Sequence, residues 1–334
     1  MNFLDNAPVE KQLYPFTLTR SAADIRIGIL TIREKWLLSL DADTNLVIPS
    51  NLLPSKKILN AVKLGHDITE EFDSMLIKYP WHIFELNDWA IRQDFELLTA
   101  GRISQRIPVS NKVINPENIF IEEGARVELS IINAGTGPVY IGKNAEIMEG
   151  CLIRGPLALC EGAVLKMGTR IYGATTLGPY CVGGGEIKNS VFFGYSNKGH
   201  DGYLGDSVIG EWCNLGAGTT NSNIKNNAGE VSIWNQLTGL KIAAGQKCGL
   251  LMGDYSRSSI NTSFNTGTIT GVSCNIFGEG LKGNHIPSFS WCGPQTTRYE
   301  FNKAMRDILN WKKLKKHSLQ EEEIKRLKYI FDNY

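Results

Sequence analysis

No run among the 334 residues approaches the roughly 18 consecutive apolar side chains of a membrane-spanning helix, so the sequence predicts no membrane partner. The opening Met1-Asn2-Phe3-Leu4-Asp5-Asn6 lacks the basic and apolar regions of a secretory leader. Neither sign of charge is in excess: 35 Lys+Arg against 34 Asp+Glu leave a net +1, which gives no electrostatic reason to expect nucleic acid. Cysteine is present seven times, an odd number without a Cys-x-x-Cys pair, which reads as buried thiols in a reducing compartment rather than a disulfide frame. A soluble, cytoplasmic protein is expected. With 42% hydrophobic and 21% charged residues, the chain carries enough apolar material for a folded core.

Glycine is nearly missing from both ends. Of 34 glycines, 31 lie between Gly124 and Gly293; only Gly28, Gly65 and Gly101 precede them and none follows. A segment that concentrates glycine in this way makes many tight corners. Three regions are therefore expected: residues 1–105, a small α/β domain; 106–293, the corner-rich domain; 294–334, a helical tail. In the first, Ile25, Ile29, Ile32 and Trp36 predict an amphipathic helix over Asp24 to Leu40, and Leu46-Val47-Ile48 a strand. Asn87 to Leu98 predicts a second helix, with Asn87 or Asp88 as its N-cap and Gly101 past its end. In the tail, 297–317 and 318–334 predict a helical hairpin, with Ser318-Leu319-Gln320-Glu321 as a capping box and Lys312, Lys313, Lys315 and Lys316 as a solvated face.

The middle region keeps a period of six. Ile141, Ile147, Ile153, Leu159, Leu165, Ile171 and Leu177 share one phase, and Ala145, Cys151, Leu157, Ala163, Thr169, Thr175 and Cys181 follow four positions later. Neither the helical spacing of 3.6 nor the strand spacing of 2 produces this; a hexad repeat predicts a triangular β-solenoid, three hexads per coil. The phase returns at Ile209-Gly210 and Leu215-Gly216. Gly183 to Asp206 breaks the count and predicts a protruding loop, and a second irregular stretch runs from about Asn223 to Gly253.

Inside the first break stands Gly199-His200-Asp201-Gly202-Tyr203-Leu204-Gly205-Asp206, followed by Ile209-Gly210, then Asn214-Leu215-Gly216-Ala217-Gly218-Thr219 and Asn223. From Arg170 to Asn223 these residues resemble, without a gap, the acetyltransferase domain of the bifunctional GlmU enzymes, which make N-acetylglucosamine-1-phosphate and then UDP-N-acetylglucosamine. The whole chain resembles still more closely an alternative GlmU-like family of sugar nucleotidyltransferases. That likeness rests on Pro15-Phe16-Thr17-Leu18-Thr19-Arg20, on 23–36, on Asn265-Thr266-Gly267-Thr268-Ile269, on 271–278 and on Ile286-Pro287-Ser288-Phe289-Ser290-Trp291. The resemblance implies a mainly β chain: a left-handed parallel β-helix of hexapeptide repeats, a small α/β N-terminal domain reduced from a nucleotidyltransferase fold, and a helical tail. It also implies a homotrimer that takes acetyl-CoA as cosubstrate. By position, His200 falls on the catalytic histidine and Glu186 on an acidic active-site position. Arg170 and Lys188 fall on the sugar-phosphate ligands, Tyr203, Asn214 and Asn223 on substrate-binding positions, and Ala217 on one that meets acetyl-CoA.

The residue types suit that chemistry independently. Acyl transfer from a thioester needs an acceptor relieved of a proton, and neutral imidazole is the base suited to neutral pH. A phosphate on the acceptor calls for Arg and Lys. Two departures stand out. After Asn223 the family's short tyrosine-containing turn is replaced by Ile224-Lys225-Asn226-Asn227 and a longer route through Trp234 and Lys241. Nucleotidyltransferases also carry G-x-G-T-R ahead of L-x-P-x-T; Leu13-Tyr14-Pro15-Phe16-Thr17 matches the second half, yet residues 1–12 contain no glycine to cradle a triphosphate. CoA-dependent acyl transfer to a sugar phosphate or nucleotide sugar is therefore the leading expectation. A sugar-1-phosphate uridylyl- or thymidylyltransferase, needing Mg²⁺, is the first alternative, and a non-catalytic trimeric scaffold or sensor the second. Trimeric β-helices that bind zinc use three histidines per site, and His66, His82, His200, His285 and His317 have no such spacing.

Overall fold

The computed structural model describes residues 1–40, 46–65, 75–293 and 295–334; His66 lies outside them. From Lys112 to Cys292 the chain winds a parallel β-solenoid of about ten turns. The hexad predicts its interior. All seven aliphatic residues of the phase are 3% exposed or less, and the seven small or branched residues four positions on are 0% exposed. Each coil passes through three faces. The first face stacks Lys112–Ile114, Ile131–Asn133, Leu152–Arg154, Arg170–Tyr172 and the starts of Glu186–Phe192 and Tyr203–Ile209. The second stacks Ile119–Ile121, Val139–Ile141, Leu157–Leu159 and Thr175–Leu177, then the ends of the same two long strands, Leu250–Met252 and Thr268–Thr270. The third runs from Arg126–Val127 through Val182–Gly183, Asn197–Lys198, Asn214–Leu215 and Arg257–Ser258 to Ser290–Cys292.

Gly183 to Asp206 is not a protruding loop. It is continuous solenoid whose coils are one to three residues shorter than the eighteen of three hexads, with strands Glu186–Phe192 and Asn197–Lys198 in register above and below. The count of six fails there while the ladder continues. The excursion comes later, where Ser232–Asn235 and Leu240–Ala243 form an antiparallel hairpin before the solenoid resumes at Leu250.

The N-terminal segment contributes α1 (Ala7–Gln12), α2 (Ile32–Ser39), α3 (Lys56–Lys63), α4 (His82–Glu85) and α5 (Asn87–Thr99), with Asn2–Leu4 parallel to Val47–Pro49. The helix expected over Asp24 to Leu40 begins only at Ile32. Ahead of it Arg26–Ile27 and Leu30–Thr31 pair as a tight hairpin around Gly28, whose φ of +73° a β-carbon would strain. Side chains of α5 hold that turn: Asn87 accepts from Gly28 N at 2.7 Å, and Asp94 accepts from Ile29 N at 2.7 Å and Leu30 N at 3.0 Å. Asn87 is thus committed to tertiary bonds and does not cap α5, which follows α4 directly.

The tail forms α6 (Phe301–Leu314) and α7 (Glu321–Asn333). The capping box sits two residues beyond the expected one, between Gln320 and Glu323. Nor are all four lysines solvated. Lys312 is 7% exposed and bonds Glu323 Oε2 at 2.7 Å, and Lys315 donates to Tyr180 O at 2.6 Å and Asn197 Oδ1 at 3.0 Å, whereas Lys313 and Lys316 are exposed.

One apolar core runs through all of these parts. Leu13, Phe16, Trp36 and Phe84 from the N-terminal segment pack with Val191, Val208, Leu251 and Ile269 from the outer side of the second face. Val231 and Ile233 of the hairpin, and Ile308, Leu327 and Ile330 of the tail, join them. Lower on the same face, Phe120, Tyr140 and Ala158 meet Ile29 and Ile91. A polar clamp reinforces this. The Arg20 guanidinium bonds Asp254 at 3.2 and 2.5 Å and lies 3.2 Å from Glu211, and Thr19 Oγ1 donates to Asp254 at 2.6 Å. Burial alone would make Arg20 easier to deprotonate, but the two carboxylates hold it above its ordinary value. Arg326 of α7 completes the closure by bonding Glu10 at 3.0 Å and Thr17 O at 3.3 Å.

Candidate active site

The first face carries the polar cluster. Register places Arg170, Glu186 and Tyr203 in one cross-strand row and Tyr172, Lys188 and Gly205 in the next. Because Ile171, Ile187 and Leu204 between them point inward and are buried, the flanking residues face outward together. Arg170 Nε lies 3.7 Å from Glu186 Oε2, and Tyr172 OH donates to Glu186 Oε1 at 2.6 Å; that bond to a carboxylate is the main reason the phenol is pushed up to about 12. Lys188 Nζ stands 3.8 Å from the buried Asp206. Asp206 also accepts from Asn189 at 2.7 Å and from Asn223, whose amide reaches Tyr203 OH at 3.1 Å. Burial, with the Asp206 carboxylate second, holds the Tyr203 phenol well above its usual value.

His200 sits at the corner between the third and first faces, on the turn 199–202, and is exposed. That turn is wedged between the coils on either side. A β-carbon on Gly202 would lie 2.0 Å from Thr219 O, so only glycine fits. Beneath the turn, Lys198 points into the solenoid and donates to Gly184 O and His200 O, both at 2.9 Å. On the third face beside the corner, a groove of about 550 Å³ is lined by His200, Asn197, Asn214, Ala217, Ile260 and Trp311 of α6.

The fold thus gathers the expected residues into two neighbouring groups. Arg170, Glu186, Lys188, Tyr203 and Asn223 lie on the first face; His200, Asn214 and Ala217 line the groove around the corner from them. Four members were missed. Tyr172 and Asp206 could have been found from the strand register, Tyr172 two residues after Arg170 and Asp206 three after Tyr203. Lys198 gives a signal only once the coil is counted correctly, as a lysine at an inward position. Trp311 gives none, since it arrives from a separate helix. Among the described residues, no cluster of three or more His, Cys, Asp or Glu has the geometry of a metal site, and no helix is long and apolar enough to cross a membrane.

Comparison with known proteins adds likenesses of three kinds. Residues 3–58 and 54–103 match the sequence model of a family described as sugar nucleotidyl transferase. A bifunctional sugar-1-phosphate nucleotidylyltransferase/acetyltransferase of Sulfurisphaera tokodaii is 26% identical over 306 residues, covering 80% of this chain and 70% of that protein. The bifunctional protein GlmU of Methanocaldococcus jannaschii is 28% identical over 197 residues, covering 59% of this chain and 42% of its own. That of Thermus thermophilus is 33% identical over 138 residues, covering 34% and 30%. The chain therefore aligns with less than half the length of these two GlmU proteins. Among solved structures, a UDP-N-acetylglucosamine acyltransferase from Campylobacter jejuni shares 14% identity at a TM-score of 0.25, covering 67% of this chain and 95% of that one. A parallel β-solenoid with this polar corner, in a chain related to bifunctional transferases, is a transferase. Its sequence is similar to GlmU proteins over part of their length, and to the Sulfurisphaera protein over most of its own.

Proposed function

We propose that the chain transfers an acyl group, acetyl as the expected one, from acyl-CoA to a sugar phosphate or nucleotide sugar. One observation carries this reading: two cations on one face, Arg170 and Lys188, stand around a corner from a groove that His200 lines. Arg170 and Lys188 bind the acceptor's phosphate, Tyr203, Asn214 and Asn223 orient the sugar, and Glu186 holds Arg170 in place. The acyl-CoA arm lies in the groove against Ala217. His200 takes the proton from the acceptor nucleophile as that atom bonds the thioester carbon. The C–S bond then breaks, and the departing CoA thiolate is reprotonated. A homotrimer fits the exposed apolar strip of the first face, where Ile114, Ile131 and Leu152 are 57%, 46% and 48% exposed, an unusual row for a lone solenoid. The cellular location expected is the cytoplasm.

The match of residues 3–103 favours nucleotidyl transfer as the second reading, with Mg²⁺ supplying phosphate charge neutralisation. Against it, Arg20 of the nucleotidyltransferase-like motif is already spent on Asp254 and Glu211. The deciding assay is release of CoA thiol by the full chain with acyl-CoAs and a panel of amino-sugar phosphates and nucleotide sugars. Turnover that His200→Ala lowers by about 10²–10⁴ supports the reading, the usual worth of a positioned base. Turnover only with a nucleoside triphosphate and Mg²⁺ would replace it.

A further inference from the structure

On the third face the inward column reads Val127, Ile147, Leu165, Gly183, Lys198, Leu215, Ser258, Ile276 and Cys292 along successive coils. Eight of these are small or apolar; the lysine is the one charge, and it is 1% exposed. Every neighbour in the column shows what a solenoid interior accepts, and an ammonium there gives up hydration that apolar atoms cannot replace. No carboxylate lies within ion-pair distance of it among the described residues. Its partners are two carbonyls, Gly184 O on the corner turn below and His200 O on its own turn, each at 2.9 Å. One buried cation therefore ties together two successive turns of the corner at which the exposed imidazole stands. The charges that act on it are Asp201 on the same turn and Arg170 and Glu186 on the first face, so it lies between the two groups of site residues.

We propose that Lys198 is a positioning residue, which anchors the turn 199–202 from inside the solenoid and thereby holds His200 at the groove for turnover. A purely structural residue at this position would be small or apolar, as the rest of its column is. Removing the ammonium separates stability from activity, because the relief of burying a charge that no carboxylate pairs offsets the loss of its two carbonyl bonds. The proposal rests on the acyl-transfer reading of the site.

The test uses the full chain and Lys198→Met, with Lys198→Leu as a second variant. Hydrogen exchange measures the anchor without reference to activity, and CoA-release kinetics measure its consequence. The expected result is a melting temperature not below wild type and amide exchange at least tenfold faster in 199–202, with strands on either side unchanged. The expected kinetics are a kcat at least tenfold lower, with KM for acyl-CoA and acceptor within threefold. Unchanged exchange in 199–202 overturns the proposal whatever the kinetics. Faster exchange with kcat within threefold also overturns it, while leaving acyl transfer by the site intact. If neither variant folds, the lysine is structural and the proposal falls. A wild-type chain without turnover on any acyl-CoA, but with an anchor that the variants loosen, would instead count against the acyl-transfer reading.

Discussion

The first and second faces of the solenoid are built from the same repeat and differ only in what points outward. Inward, both present aliphatic side chains that are essentially unexposed. Outward, the second face offers Phe120, Tyr140, Val208, Leu251 and Ile269, and every residue of its strands Val139–Ile141, Leu157–Leu159 and Leu250–Met252 is buried because the N-terminal segment lies on it. The first face offers Arg170, Glu186, Lys188 and Tyr203, and its strand Arg170–Tyr172 is exposed, buried, exposed. The inward phase makes the coil, whereas the outward residues decide whether a face becomes core or site.

Charging each face in turn is the sharpest way to break this contrast. Val208→Asp places a carboxylate without a partner in the shared core, and the expected outcome is a loss beyond about 4–5 kcal/mol, read as failure to fold by circular dichroism. Arg20→Ala removes the cation between Asp254 and Glu211 and leaves a buried charge uncompensated; about 3–5 kcal/mol should disappear from denaturant unfolding. On the open face, Arg170→Ala and Lys188→Ala should each leave folding intact and raise KM for phosphate-bearing acceptors by about 10–100-fold, the worth of roughly 1.5–3 kcal/mol per charged hydrogen bond. Acyl-CoA affinity should hold, and equal losses for both substrates would remove these residues from the phosphate site.

A smaller effect concerns pH. Burial brings Lys198 down to about 8, below its unfolded value, so the unfolded chain binds more protons between pH 8 and roughly 10.4. Stability referable to Lys198 should therefore rise as pH climbs through that window, and Lys198→Met should lose this increment when melting curves of the two proteins are subtracted. The smallest change in stability is expected of Leu152→Asp on the first face, within about 0.5 kcal/mol. If the apolar strip is where copies meet, light scattering should nevertheless show that variant as monomer beside a trimeric wild type.

The inward half of this fold was legible because a period of six belongs to neither a helix nor an ordinary strand. The outward half was legible only where a motif carried it, as from Arg170 to Asn223. Contacts such as Thr19 to Asp254 join residues 235 apart and leave no local trace, so the shared core could not be read from the chain. Local errors had local causes. Ile25, Ile29, Ile32 and Trp36 are spaced for a helix, yet Gly28 turns the chain between the first two. Lys198 stayed hidden because a coil shortened at its corners shifts the hexad count, so an interior position looked like part of a loop.

The clamp at Arg20 also imposes a timetable on synthesis. Phe16 and Arg20 leave the ribosome well before their solenoid partners Phe193 and Asp254, the latter only after 234 more residues. At about 5–20 residues per second, that interval is roughly 10–50 s. For that time the N-terminal segment waits without its solenoid partners, and apolar surface left open during synthesis is where aggregation starts.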